Sequence, residues 1–150
     1  MKIYIDADAC PVVVKDLLFK TSKRLLLTLV LVANQYMKIP VSDYIQFVLV
    51  PEGPDVADDK IVELVLENDL VITADIPLAD RVIKKGAVVL DPRGTLLTEE
   101  NIGERLAYRN LMDDLRSNGM ETGGPSAYTA KDKQEFANQL SKFLNKHINK

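Results

Sequence analysis

A chain of 150 residues has the size of one domain, and such a domain buries roughly two-thirds of its unfolded surface, enough for a core without disulfides. With 47% hydrophobic and 27% charged residues, and only 7 Gly and 7 Pro, the composition excludes a disordered or fibrous chain. The formal net charge of −3 excludes a surface coated in basic residues for indiscriminate nucleic-acid binding, but leaves room for a local basic groove.

The single cysteine, Cys10, has no internal partner, and the N-terminus Met-Lys-Ile-Tyr-Ile-Asp lacks the apolar run and small-residue cleavage site of a signal peptide. The cytoplasm is the expected compartment. The longest apolar stretch, Leu25 to Ala33, is interrupted by Thr28 and falls short of the roughly 20 residues that a membrane-spanning helix needs, so no membrane association is expected.

In chain order, β-branched apolar runs predict strands at Lys2 to Ile5, Leu25 to Ala33, Ile45 to Val50, Leu70 to Ala74 and Ala87 to Leu90. Continuous Val, Ile and Leu rather than strict alternation marks strands covered on both faces, the pattern of a parallel sheet. Between them, Pro11 to Lys23 opens with a proline suited to a first helical turn and lines Val14, Leu17 and Leu18 along one face. Asp58 to Asn68 carries Ile61, Leu64 and Val65 at helical spacing, and Pro77 to Lys85 stops at Gly86, which can take the left-handed conformation that ends a helix. Beyond Pro92, Glu99 to Asn118 and Ala130 to Asn149 predict two amphipathic helices separated by a turn-rich break at Gly119 to Pro125. The alternation predicts a single α/β domain over residues 1–150, a parallel sheet with flanking helices, on which the two C-terminal helices, about residues 99–149, pack.

The aspartates are placed informatively. Asp6 and Asp8 follow the first strand; Asp55, Asp58 and Asp59 precede or open the helix after the third; Asp75 follows the fourth, with Asp80 about one turn beyond. In open parallel sheets, ligands bind outside the carboxyl ends of the strands. If the first and fourth predicted strands are neighbours, Asp6 and Asp75 converge, and Asp58 or Asp59 reaches the same crevice from a helix start. Two like charges about 5 Å apart at an effective dielectric of about 20 repel by roughly 3 kcal/mol. A cluster of this kind calls for a cation or raised pKa values, and Mg²⁺ or Mn²⁺, which take oxygen ligands, are the expected ions. The structural alternative is that Asp8, Asp58 or Asp59 merely caps a helix and Asp80 is solvated.

Asn34, at the end of the second strand, is a candidate donor to a metal-bound water or phosphate, or a plain turn residue. Arg93 can grip a phosphate through its planar fork of donors or form a surface ion pair, and Lys15 can reach a substrate from the first helix or stay solvated. Cys10 stands near a helix start, where a thiolate is favoured, yet no base partners it, and the only histidine, His147, lies in the terminal segment.

The strings Asp6-Ala-Asp-Ala-Cys-Pro11, Val32-Ala-Asn-Gln35, Asp55-Val-Ala-Asp-Asp59, Ile72-Thr-Ala-Asp-Ile-Pro-Leu-Ala79, Asp91-Pro-Arg-Gly94 and Gly123-Gly-Pro125 resemble the YaiI/YqxD family and span nearly the whole chain. That family in turn resembles PIN-like (NYN-like) nuclease domains, whose pattern maps here onto Asp6, then Asp58 or Asp59, then Thr73-Ala-Asp75 with Asp80 and Gly86. Ala57-Asp-Asp59 also looks like the acidic pair of flap-type nucleases. The resemblance implies a three-layer PIN-like domain and metal-assisted hydrolysis of phosphodiester bonds in RNA or another single-stranded nucleic acid. In that scheme Asp6, Asp58, Asp59 and Asp75 are catalytic and, with Asp80, hold Mg²⁺ or Mn²⁺; Asp8, Asn34, Arg93 and Lys15 contact substrate.

Two other classes compete. Asp6-Ala-Asp8 resembles the nucleophile and acid pair of haloacid-dehalogenase-like phosphatases, in which Asp6 would attack phosphorus. A binding module that keeps the fold and the acids without turnover, contacting nucleic acid or a protein, is the third. The sequence leaves the oligomeric state open.

Overall fold

A computed structural model describes residues 1–121 and 126–148. In chain order the elements are β1 (Lys2–Asp6), α1 (Val12–Leu25), β2 (Thr28–Ala33), β3 (Ile45–Leu49), α2 (Val56–Leu64), β4 (Leu70–Ile72), α3 (Ile76–Ile83), β5 (Val88–Leu90), β6 (Leu96–Leu97), α4 (Glu99–Ser117) and α5 (Ala130–Ile148). They form a three-layer α/β fold around one six-stranded sheet of order β3-β2-β1-β4-β5-β6. Strands β1 to β5 pair in parallel, and β6 closes the edge antiparallel to β5.

The continuous apolar strands are covered on both faces. Ile3, Ile5, Leu29, Leu31 and Ile72 point to one side, where Val14 and Leu18 of α1 and Phe136, Leu140 and Leu144 of α5 cover them. Tyr4, Val30, Val32 and Val71 point to the other, against Ile61 of α2 and Leu78, Val82 and Ile83 of α3. Helix α4 joins this second side through Ile102, its single buried residue, and leans on α3 and β6. The two C-terminal helices therefore sit on opposite sides of the sheet, and α4 adds to the helical layer more than to the sheet itself.

Several boundaries differ from the pattern-based expectation for local reasons. The start of the long apolar run, Leu25, belongs to α1, and Leu26 at φ 55 ends that helix, so β2 begins only at Thr28. Helix α2 stops at Leu64 because Val65 is extended. Asp69 then ties the following turn, its carboxylate accepting from Leu66 N and Lys2 N, both at 2.9 Å. Strand β6, two residues long, gave no periodic signal. It pairs through the Asp91–Thr95 turn, in which Asp91 Oδ1 accepts from Arg93 N at 2.7 Å and Gly94 sits at φ +95 with the backbone of Glu135 packed where a Cβ would stand. The expected Gly123-Gly-Pro125 turn and the last predicted helical residue, Asn149, lie outside the described residues. Among the described residues, no helix is long and apolar enough to cross a membrane.

Candidate active site

The chain runs from β1 outward to β2 and β3 on one side, then crosses back to β4 and β5 on the other. The strand order thus reverses between β1 and β4, and in open parallel sheets the carboxyl ends at such a reversal are where a ligand crevice forms. The condition on which Asp6 and Asp75 converge is met: β1 and β4 are hydrogen-bonded neighbours, with Ile5 opposite Ile72.

Asp6 is the last residue of β1. Its Oδ2 accepts a hydrogen bond from Thr73 Oγ1 at 3.1 Å, and the same hydroxyl oxygen accepts from Asp75 N at 3.0 Å. Asp75 is the N-cap of α3, its Oδ1 accepting from Leu78 N at 3.0 Å. The helix-capping role weighed for other aspartates thus falls to Asp75, which fixes its carboxylate beside Asp6. Thr73, which entered the sequence pattern only within the string Thr73-Ala-Asp75 and with no role of its own, is the residue that joins the two acids. It is buried, and its signal was the hydroxyl two positions before an aspartate, which can fold back on its own loop.

The third acid arrives from α2. Asp55, the N-cap, stands at φ 63 and makes no side-chain cap, so the helix begins two residues before Asp58, and neither Asp58 nor Asp59 caps it. Asp58 turns inward and Asp59 outward. Among the described residues, Asp58 has no hydrogen bond or ion pair. Its carboxyl is pushed up to about 6, first by burial and then by the charges of Asp75, Asp6 and Asp55, with Arg81 opposing. Burial also raises Asp6; the Thr73 hydrogen bond counters this, and the charges of Asp75 and Asp8 add to it. Asp6, Asp58 and Asp75 therefore feel one another, and Asp55 joins them from the helix cap.

Other candidates are placed differently. Asp59 is exposed and ion-paired to Arg81 at 2.9 Å. Asp80 pairs with Lys84, one turn along α3, at 2.9 Å. Each carboxylate is thus matched by a cation of the chain's own, Arg81 for Asp59 and Lys84 for Asp80. Adjacent helical positions face about 100° apart, and Asp80 lies beyond the first turn that faces the crevice. Asp8 is exposed, and its Oδ2 accepts from Asn34 N at 2.7 Å; Asn34 reaches this edge through its backbone. Lys15 Nζ donates to Ala7 O at 3.4 Å and lies 3.6 Å from Met37 Sδ, bringing a cation beside the loop that follows Asp6. Arg93 takes the alternative of the two roles considered for it. It is ion-paired to Asp132 at 3.0 Å, hydrogen-bonded to Ser126, and held 5.8 Å over the Tyr128 ring. Cys10 is buried, and burial pushes its thiol up to about 12, which disposes of a reactive thiolate. His147 stacks on Phe143 far along α5.

The donor set suits a hard cation, since all the inward groups are carboxylates. Among the described residues, no three Asp, Glu, His or Cys side chains stand close enough to hold one ion. A closed protein cage is thus not formed among the described residues; a hard cation held here would take one or two carboxylates and complete its shell with water.

The profile of a family described as "Uncharacterized BCR, YaiI/YqxD family" matches residues 4–146. The chain is similar to the UPF0178 protein of Maridesulfovibrio salexigens, at 57% identity over 150 residues covering 100% of this chain and 99% of the relative. It is also similar to UPF0178 proteins of Cupriavidus pinatubonensis, 53% identical with 99% of each chain covered, and Cupriavidus necator, 55% identical over 98% of this chain and 96% of the relative. No solved structure matches.

Proposed function

This chain belongs to the YaiI/YqxD family, and we propose that it is a metal-dependent nuclease of PIN-like type that hydrolyses phosphodiester bonds, with single-stranded RNA as substrate. The observation that carries the reading is the meeting of Asp6, Asp58 and Asp75 from three separate elements at the β1/β4 switch point, with Thr73 joining the first and last. Packing alone gives no reason to bring like charges together, since removing them would relieve repulsion; a bound cation does.

Asp6 and Asp75 are the direct ligands in this reading, and Asp58 completes the site through water or takes a second ion. Bound Mg²⁺ or Mn²⁺ supplies Lewis acidity at the phosphate and a more acidic water. The chain's own groups do the positioning. Thr73 fixes one oxygen of Asp6 and leaves the other without a hydrogen bond among the described residues. Asp75 uses one oxygen as a helix cap, which stiffens its rotamer, and leaves the second without a hydrogen bond among the described residues. Asp58, its carboxyl pushed up to about 6 by burial and the neighbouring charges, is suited to take up or release a proton near neutrality when no cation is bound. Lys15, next to the Asp6 loop, offers a positive charge to an incoming phosphate.

The test is cleavage of labelled single-stranded RNA and DNA with and without Mn²⁺ or Mg²⁺, beside Asp6→Asn and Asp75→Asn proteins prepared identically. Metal-dependent cleavage lost in both variants supports the reading. Cleavage that survives in them identifies a contaminant, and absence of cleavage on every substrate sinks the nuclease assignment.

A further inference from the structure

Beside the acidic crevice lies a cavity of about 220 Å³ whose walls come from the same two loops: Ala9 follows Asp8, and Ala74 stands between Thr73 and Asp75. The opposite wall is the Asp91-Pro92-Arg93 turn, with Tyr128 leading into α5. We propose that this cavity is a subsite for a nucleobase next to the scissile phosphodiester, and that it favours bases carrying an exocyclic amino group. The inference rests on the nuclease reading for its biological sense, but the binding it asserts stands by itself.

The wall chemistry selects the occupant. An anion is disfavoured, because the one cation in the wall, Arg93, is already neutralised by Asp132 and Asp91 adds a carboxylate of its own. A neutral, flat ring is favoured, because the guanidinium lies over the Tyr128 ring and offers a fixed planar surface, flanked by the Pro11 and Pro92 rings; bases stack readily on such planes.

The wall is held in place. Arg93 is fastened to Asp132 and Ser126, and Tyr128 Oη donates to Pro92 O at 2.8 Å. Asp91 sets the preference among bases. Its Oδ1 is occupied by the amides of Arg93 and Thr95, while its Oδ2 has no hydrogen-bond partner among the described residues. A carboxylate oxygen only accepts, so it favours the exocyclic amino group of adenine, cytosine or guanine over uracil, whose one edge donor, N3–H, is flanked by two carbonyl oxygens that the carboxylate repels. Alanine at both 9 and 74 leaves the entrance open, and both are exposed, so larger residues there fill the cavity without disturbing the core.

The experiment uses the full chain labelled with ¹⁵N and titrated with adenosine, cytidine and uridine in the presence of EDTA, reading amide shifts. Nucleosides carry no phosphodiester and need no metal, so the outcome is independent of whether the protein cleaves RNA. Saturable shifts at Ala9, Ala74 and Arg93 with adenosine and cytidine, several-fold weaker with uridine, support the subsite. Ala74→Leu and Ala9→Leu should each weaken binding by about tenfold or more while the remaining spectrum stays in place. No shift at these amides, equal response to uridine, or undiminished binding in a folded leucine variant overturns it. If nucleosides bind but RNA is never cleaved, the nuclease reading fails and the subsite survives.

Discussion

Replacing Asp58 by asparagine should stabilise the metal-free protein, and only on the alkaline side. On folding, its carboxyl moves from 3.8 to about 6, so between those values the folded protein holds a proton that the unfolded chain has released. The stability from this proton is full below about pH 4 and is lost as the pH rises through 6. A shift of about two units corresponds to at most about 3 kcal/mol; solvent screening of a half-buried group reduces this to about 1 kcal/mol. Asparagine removes the cost of burying the charge and, with it, the repulsion from Asp75, Asp6 and Asp55; since the Asp58 side chain makes no hydrogen bond or ion pair among the described residues, it breaks nothing. In EDTA, Asp58→Asn should therefore melt about 2–4 °C above the parent at pH 8 and level with it at pH 4, as read by circular dichroism. A lower melting temperature at pH 8, or a gain of equal size at both pH values, would show that burial and neighbouring charges do not disfavour the Asp58 carboxylate.

Millimolar Mn²⁺ should raise the melting temperature of the parent protein at pH 8 and raise that of Asp6→Asn much less, because a cation that binds only the folded state stabilises it by mass action; equal gains would place the ion elsewhere. Thr73→Val keeps the shape but loses the hydroxyl that joins Asp6 to Asp75, and should lower kcat for RNA cleavage by about 10- to 100-fold, with Thr73→Ser restoring it; an unaffected kcat removes Thr73 from the positioning of Asp6. Asp69→Ala strands two amide donors, Lys2 N and Leu66 N, and should cost about 3 kcal/mol in urea denaturation without altering metal binding. Gly94→Ala forces a Cβ to within 2.9 Å of Glu135 backbone atoms at a φ of +95 and should destabilise by more than about 1 kcal/mol; a neutral effect would mean that α5 shifts freely on this turn.

The sequence alone determined the layers and the location of the chemistry. Unbroken runs such as Leu29 to Ala33 admit only a strand covered on both faces, and aspartates that directly follow strands must gather where parallel strands end. It could not order the strands, because neighbour choice depends on how crossovers pack, and that order decides whether Asp6 and Asp75 meet. Nor could it separate Asp58 from Asp59: adjacent residues share composition and spacing, and only the docking of α2 against the sheet turns one into the crevice and the other toward Arg81. Arg93 posed the same problem, its role hanging on Asp132, 39 residues away, which the tertiary fold alone brings within reach. Local pattern reports which surfaces must be buried, while the distances that make a site are set by packing between segments remote in the chain.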